Sequence, residues 1–126
     1  MCVLGPWPGA GSLSAMPHFV MQRWTLTPVR YPQAPLHIHD RGDEGFVVLD
    51  GELGVTLGTE VIRLHAGEFV VVVTAGTPHT FATVDDMPAS VLVTMSPDIG
   101  ALVRQFHEVS EEERPALWAR YNSRLI

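Results

Sequence analysis

Residues 37–51 read HIHDRGDEGFVVLDG and decide both the fold and the chemistry expected of this chain. His37 and His39 are two positions apart, and side chains of an extended segment alternate between the faces of a sheet, so both imidazoles point the same way. Glu44 adds a carboxylate after a short polar turn, and His79 can join from a later strand. Three imidazole nitrogens and one carboxylate oxygen suit one divalent transition metal (Fe, Mn, Ni, Co, Zn or Cu). Four protein ligands leave up to two positions open on an octahedral ion. Water, substrate or dioxygen could bind there, so the site is not expected to be a closed structural one.

The spacing HxH-(x)4-E-(x)6-G within residues 37–51 resembles the first motif of the cupin superfamily. Residues 76–81, GTPHTF, are similar to the end of the second motif of that family. The resemblance spans residues 19–97 and is to the small single-domain cupins, with a weaker likeness of the C-terminal region to the quercetin-dioxygenase-like branch. It implies a double-stranded β-helix whose metal is held by the four side chains named above.

The chain departs from the family pattern at positions that are not predicted ligands. Tyr31 stands where the first motif begins with glycine, and Val73 stands where the second motif usually has proline. Gly76 lies one residue late, which predicts a bulge or a longer loop before His79. The direction of the His79 side chain is therefore the least constrained of the four.

Other polar residues near the motif are expected to stay outside the site. Asp40 and Asp43 could compete with Glu44 for the ion, but both belong to a turn, where solvated side chains are the better interpretation. The remaining histidines lie beside a turn, near a helix end or next to the N-terminal region, and are not predicted to be ligands; they are His18, His65 and His107.

The composition favours one compact domain and limits its partners. Of 126 residues, 46% are hydrophobic and 17% are charged, which indicates a globule rather than disorder. The formal charge of −6 and the lack of a basic cluster make nucleic acid and anionic membranes poor partners. All 8 cationic side chains are arginines, so chemistry that needs a lysine amine, such as a Schiff base or a P-loop, is excluded.

The first 17 residues are interpreted as a flexible tail. They have no basic start and no unbroken apolar segment of the kind that a secretory signal requires. Cys2 is the only cysteine, so no disulfide can form within the chain. The longest apolar run, Phe69–Val73, is too short to cross a bilayer. A cytoplasmic location is therefore expected.

Short β-branched runs separated by turn signals predict an all-β jelly-roll barrel domain over residues 18–97. The pair Asp50-Gly51 is a strong hairpin signal, since such turns need a positive φ. The predicted strands lie near Phe19–Thr27, Leu36–His39, Glu44–Leu49, Glu52–Leu57, Glu60–Leu64, Glu68–Val73, His79–Thr83 and Ser90–Met95.

Residues 98–126 are predicted to form a short helical tail that packs on the barrel. Ser96 is a suitable N-cap with Pro97 at the first helical position. Ser110 and Glu113 have the spacing of a capping box, and a second helix is expected from about Pro115. That second helix should bury Leu117, Trp118, Tyr121 and Leu125.

Strand parity predicts which apolar side chains face the metal. Phe46 and Val48 share the parity of Glu44, and Phe81 shares that of His79. These three side chains are either walls of a pocket for an apolar or aromatic small organic molecule, or ordinary core residues.

Three functions remain open from the sequence. The resemblance implies a dioxygenase-like oxidoreductase in which Glu44 is both a ligand and the general base. An isomerase or decarboxylase would need the same metal but no oxygen, and a non-catalytic protein would only bind a metabolite. The resemblance, together with the open edge of a jelly roll, also implies a homodimer.

Overall fold

The computed structural model describes residues 18–29, 32–67 and 71–126. The predicted tail over residues 1–17, Tyr31 and the first three residues of the strand predicted from Glu68 lie outside the described residues. The described strands and helices, in chain order, are β1 (Val20–Leu26), β2 (His37–His39), β3 (Glu44–Asp50), β4 (Glu52–Leu57), β5 (Glu60–His65), β6 (Val71–Val73), β7 (His79–Thr83), β8 (Ala89–Met95), α1 (Pro97–Phe106), α2 (Arg114–Arg120) and β9 (Ser123–Leu125).

The strands form two antiparallel sheets that face each other. One sheet has the order β1-β8-β3-β6 and the other the order β5-β4-β7-β2-β9. The all-β jelly-roll prediction is confirmed, and apart from the start of β6 each predicted strand boundary lies within one residue of the observed one. The agreement follows from period-two alternation, which β8 shows over its whole length.

The core lies between the sheets and consists of side chains from their inner faces. Fully enclosed members include Phe46, Leu53, Val55, Leu64 and Val91. Each side chain of this size contributes about 1.5–3 kcal/mol when it is removed from water. A smaller cluster of Leu102, Leu117 and Trp118 joins the two helices beside the barrel.

The turn between β3 and β4 requires the glycine that ends the first motif. Gly51 has a φ of +80°, and a Cβ there would lie 2.5 Å from the carbonyl oxygen of Pro88. Positive φ and close approach both exclude larger residues. The turn therefore fixes the register of β3, the strand that begins at Glu44.

The longer spacing before His79 is accommodated in a loop and not in a bulge. The β7 strand pairs with β4 without a register shift. Within the loop, Gly76 N donates to the carbonyl oxygen of His39 at 2.8 Å, and Ala75 N donates to Asp43 Oδ1 at 2.8 Å. The loop is thus held to the chain segment that carries the first ligands, and His79 pairs directly with His37.

The C-terminal region agrees with the prediction over its helices but not at its end. Ser96 accepts a hydrogen bond from Ile99 N as the N-cap of α1, and the Ser110–Glu113 capping box closes the turn before α2. The prediction of helix as far as Leu125 was wrong. Asn122 turns the chain with a φ of +56°, and the following residues form β9, which leaves Leu125 half exposed.

The strand β9 forms because β2 has a free edge. Residues Ser123–Leu125 pair with all three residues of β2, whereas β7 contributes one pair, His37 with His79. Backbone groups of a buried strand need partners, and this pairing supplies them. No helix in the described part of the chain has the length and apolar character needed to span a membrane.

Candidate metal centre

Four buried side chains converge between the two sheets. The donor atoms of His37, His39, Glu44 and His79 all lie within 4.8 Å of one another. The shortest separations join Glu44 Oε1 to His39 Nε2 at 2.6 Å and to His79 Nε2 at 3.1 Å. The Nε2 atoms of His37 and His39 lie 3.2 Å apart. All four side chains are at most 5% exposed, so they are removed from bulk water.

The strands explain this convergence. His37 and His39 are the first and last residues of β2, and Glu44 and His79 begin β3 and β7. Since β2 and β7 are neighbours in one sheet while β3 belongs to the other, the centre bridges the two sheets. The carboxylate therefore approaches the imidazoles from the opposite face.

The donor set fits one transition-metal ion. Donors that share an ion at roughly 2.1 Å lie about 3.0–4.2 Å apart, so the four side chains need shifts of only about half an ångström. Three nitrogens and one oxygen suit a borderline divalent cation.

Each imidazole is oriented by a hydrogen bond on its outer nitrogen. His37 Nδ1 lies 2.6 Å from the carbonyl oxygen of Pro35, and His79 Nδ1 lies 2.9 Å from that of Thr77. A carbonyl oxygen only accepts, so both Nδ1 atoms carry a proton and both Nε2 atoms offer a lone pair to the centre. Such outer partners are the usual means of orienting metal-binding histidines.

The electrostatics of the centre favour the metal-binding forms. Burial alone would raise the pKa of Glu44, but in the metal-free centre its close contacts with the imidazoles of His39 and His79 outweigh burial and lower the pKa to about 2. Burial lowers the pKa of His37 to about 4, although its hydrogen bond to Pro35 acts in the opposite direction. At neutral pH the centre therefore holds an anionic carboxylate and a neutral His37, which are the forms that bind a metal.

The separations around Glu44 themselves call for a cation. Oε1 carries negative charge, and the two nearest Nε2 atoms are also electron-rich. At separations of 2.6 and 3.1 Å these atoms repel one another, and a cation bound to them removes that repulsion. A metal ion would replace protons here, so its affinity should fall in acid.

The centre opens onto a cavity of about 640 Å³ between β1 and α1, a volume in the range of small-molecule sites. His37, His39 and Glu44 line it, while His79 lies behind them. Its apolar lining includes aromatic side chains from four different segments: Trp24, Phe81, Phe106 and Trp118.

Of the three predicted pocket walls, Phe81 lines this cavity, but Phe46 and Val48 do not. Phe46 is completely enclosed in the core and supports Phe81 from behind, with 5.4 Å between the ring centroids. Val48 belongs to the same core cluster. Strand parity predicts that a side chain points into the barrel, but it does not show whether that side chain borders the cavity or is packed in the core.

The other polar residues considered from the sequence lie outside the donor group. Asp40 forms an exposed ion pair with Arg124, and Asp43 holds the loop before β7. His65 lies 3.4 Å from Glu52 on the outer part of the barrel, and His107 lines the cavity away from the donors.

Two residues of the centre were not assigned to it from the sequence. Trp118, which the second helix was predicted to bury, lies with its ring 5.1 Å from that of His37 and 6.5 Å from that of His39. Ser123 Oγ lies 2.6 Å from His39 Nδ1, although the two residues are 84 positions apart. No sequence pattern marks either role, because both depend on how the C-terminal segment folds back.

The fold and the centre together define a small jelly-roll protein with a candidate metal site that opens onto a ligand-sized cavity. The family model described as Cupin domain matches residues 24–95, more than half of the sequence, and the chain belongs to the cupin family. This match confirms the resemblance drawn from the motif spacing.

Similarity to individual proteins is more limited. The chain is 37% identical to quercetin 2,3-dioxygenase of Bacillus subtilis (strain 168) over 68 residues, which are 54% of this chain and 20% of that enzyme. It thus spans about a fifth of the length of this curated relative.

Solved structures show the same fold. The protein TT1209 from Thermus thermophilus is similar with a TM-score of 0.55 and 29% identity, covering 63% of this chain and 72% of that one. A sugar phosphate isomerase of the cupin superfamily from Silicibacter pomeroyi gives a TM-score of 0.56 at 24% identity, covering 68% and 55% of the two chains. The second likeness concerns the fold alone.

Proposed function

We propose that this protein is a metal-dependent oxidoreductase of the dioxygenase type that acts on a small organic molecule. The observation that carries the proposal is the set of three imidazoles and one carboxylate, three of whose members line a cavity of about 640 Å³. The partial likeness to quercetin 2,3-dioxygenase supports the reaction type.

A bound divalent ion would supply Lewis acidity and a common binding point for substrate and dioxygen. The protein would hold the three Nε2 atoms and the carboxylate in place through the hydrogen bonds on the outer nitrogens. Because the donors are buried, bulk water has little access to them.

Glu44 is the proposed proton acceptor, and its low pKa restricts the substrate. A carboxylate whose pKa is about 2 takes a proton only from a group that is itself acidic when bound. An enolic or phenolic hydroxyl, acidified by the centre, meets this requirement. An unactivated alcohol or C–H group does not.

The cavity walls suggest the shape and charge of that substrate. The aromatic side chains of Trp24, Phe81 and Phe106 favour a flat, largely apolar ring. Within the described part of the chain the lining also includes Arg23 and Arg104, and Glu44 is the one acidic residue there, so an anionic enolate or phenolate is better matched than a cation.

A metal-loaded protein that binds a metabolite without turning it over is the second candidate. The low pKa of Glu44 favours it, since the carboxylate stays ionised and available to a metal ion at neutral pH but accepts protons poorly. An isomerase or decarboxylase that used Glu44 as its base would also be limited by the weak basicity of this carboxylate.

Homodimer formation stays a prediction that size-exclusion chromatography with light scattering can test.

Oxygen uptake distinguishes the two candidates. The protein is freed of metal, reloaded with Fe(II), Mn(II), Ni(II) or Co(II), and mixed with flavonols, β-diketones and catechols. Consumption of oxygen that depends on metal and substrate, and that His39→Ala abolishes, supports the dioxygenase. Saturable quenching of tryptophan fluorescence without oxygen uptake or product, followed by mass spectrometry, supports the binding protein.

A further inference from the structure

The C-terminal segment reaches the centre from outside the part of the chain that the cupin model matches. That match ends at residue 95, yet β9 pairs with β2 so that Ser123 lies opposite His39. Ser123 is 4% exposed, and its hydroxyl is the partner of His39 Nδ1 at 2.6 Å. One ligand histidine is therefore supported by a residue that follows the barrel in sequence.

The hydroxyl of Ser123 has its roles fixed by a second hydrogen bond. Ser123 Oγ donates its one hydrogen to the carbonyl oxygen of Tyr121 at 3.1 Å. It can therefore only accept from His39 Nδ1, which must carry a proton. The arrangement selects the tautomer of His39 that presents an Nε2 lone pair to the centre.

The same segment supplies most of the backbone partners of the strand that carries two ligands. β9 pairs with all three residues of β2, whereas β7 pairs with one. Asp40 N donates to the carbonyl oxygen of Asn122 at 2.7 Å, just beyond β2, and Ile126 N donates to that of Leu36 at 3.3 Å, just before it. Without these partners, β2 would be attached to its sheet at a single residue.

A hydrophobic contact holds the segment in place. Trp118 is 7% exposed and packs with Leu102 and Leu117. The edge of its ring meets that of His37 at 5.1 Å between centroids, so it covers a ligand as well as joining the two helices. The exposed ion pair between Arg124 and Asp40, at 3.3 Å, adds little because water screens it.

We infer that residues 118–126, here called the C-terminal clasp, are a working part of the metal centre, with Ser123 as a positioning residue for His39. Metal binding and docking of the clasp then stabilise each other, since coupling between two binding events is reciprocal. This inference rests on the metal-binding part of the proposed function and not on any reaction.

The test compares metal affinity in Ser123→Ala, Ser123→Thr and a control, Ser90→Ala, which removes a hydroxyl on β8. Competition with a chromophoric chelator gives the affinity for Zn(II) and Co(II). We expect Ser123→Ala to lose about 10–100-fold, the usual effect of removing an outer partner of a ligand. Ser123→Thr should retain most of the affinity and Ser90→Ala all of it.

Hydrogen exchange in the wild-type chain gives a second readout, which stands if Ser123→Ala fails to fold. Zn(II) should slow exchange of the amides of residues 122–126, by a larger factor than in the β4–β5 hairpin. Wild-type affinity in Ser123→Ala, or unchanged exchange of the clasp on metal binding, would overturn the inference while leaving the centre intact. Failure of the wild-type chain to bind any metal would instead refute the centre itself, and the clasp with it.

Discussion

Glu44 Oε1 and His39 Nε2 face each other at 2.6 Å, although they belong to opposite sheets of the jelly roll. This contact joins the two sheets at the point where the cavity reaches the centre. The chemistry of this pair depends on whether the two atoms bind a proton or a metal ion.

Glu44→Gln separates the two roles proposed for the carboxylate. Glutamine keeps an oxygen that can bind a metal beside three unchanged imidazoles, but it cannot accept a proton at neutral pH. We expect metal content, by elemental analysis, to fall by less than about threefold, and turnover to fall by about 10²–10⁴-fold.

The control for this pair of measurements is Glu108→Gln, which removes the same charge from an exposed residue after α1. Unchanged oxygen uptake in Glu44→Gln would refute the role of Glu44 as a base. Loss of all metal together with all turnover would leave it as a ligand only.

The stability of the metal-free protein should fall steeply in mild acid because of His37. Its pKa in the folded state is about 4, below the ordinary value of 6.5, so the unfolded chain takes up the proton first. Stability from this group is complete above pH 6.5 and is lost as the pH falls towards 4, by up to about 3 kcal/mol.

Urea unfolding of the metal-free protein at intervals between pH 4 and 7 measures this slope, and His37→Asn should flatten it. Glu44 continues the trend at lower pH, since its folded pKa of about 2 lies below the ordinary 4.5 and its contribution is lost across that range. Equal slopes in the wild type and His37→Asn would contradict the assignment.

Arg104→Gln tests the charge preference of the cavity. Arg104 lines the cavity near the end of α1, where an anionic ligand would gain a partly screened ion pair. We expect the dissociation constant of an aromatic carboxylate or phenolate, measured by tryptophan fluorescence, to rise about two- to fivefold.

A neutral analogue of the same shape should bind Arg104→Gln and the wild type equally. Arg120→Gln, which changes an exposed arginine of α2 outside the cavity lining, provides the matched control. Equal losses for the charged and the neutral ligand would point to a change of shape and not of charge.

Two glycine substitutions separate backbone conformation from steric space. Gly58 has a φ of +60° with no atom within 4 Å of a built Cβ, so Gly58→Ala should cost about 1 kcal/mol from conformation alone. At Gly51 a Cβ would also meet the Pro88 oxygen at 2.5 Å, and Gly51→Ala should cost roughly 3 kcal/mol or more. Chemical denaturation of both variants gives the difference, and equal losses would show that the contact relaxes freely.

The sequence predicted the barrel well because its signals are local. Alternating β-branched residues and the Asp50-Gly51 turn set the strands, and the HxH spacing placed both imidazoles of β2 on one face. Because Gly76 lies one residue later than in the family pattern, the sequence did not determine the direction of the His79 side chain. That direction is set by tertiary contacts, in which the loop is tied to His39 and Asp43.

The C-terminal strand could not be predicted in the same way. Ser123-Arg124-Leu125 has no alternation of its own and forms a strand only because β2 offers an unpaired edge. The role of Ser123 depends on that pairing, across 84 positions of sequence. Likewise, Phe46 and Phe81 both face inward, and strand parity does not show that only Phe81 borders the cavity while Phe46 is enclosed in the core.

The dependence of β2 on β9 has a practical consequence for anyone preparing this protein. Proteolytic removal of the residues after Asn122 would remove the hydroxyl beside His39 and the backbone pairing of β9 with the strand that carries His37. Most of the barrel would stay intact. Such a sample would look well folded by circular dichroism and still give a low metal content. Intact mass should therefore be verified before any batch is judged metal-free.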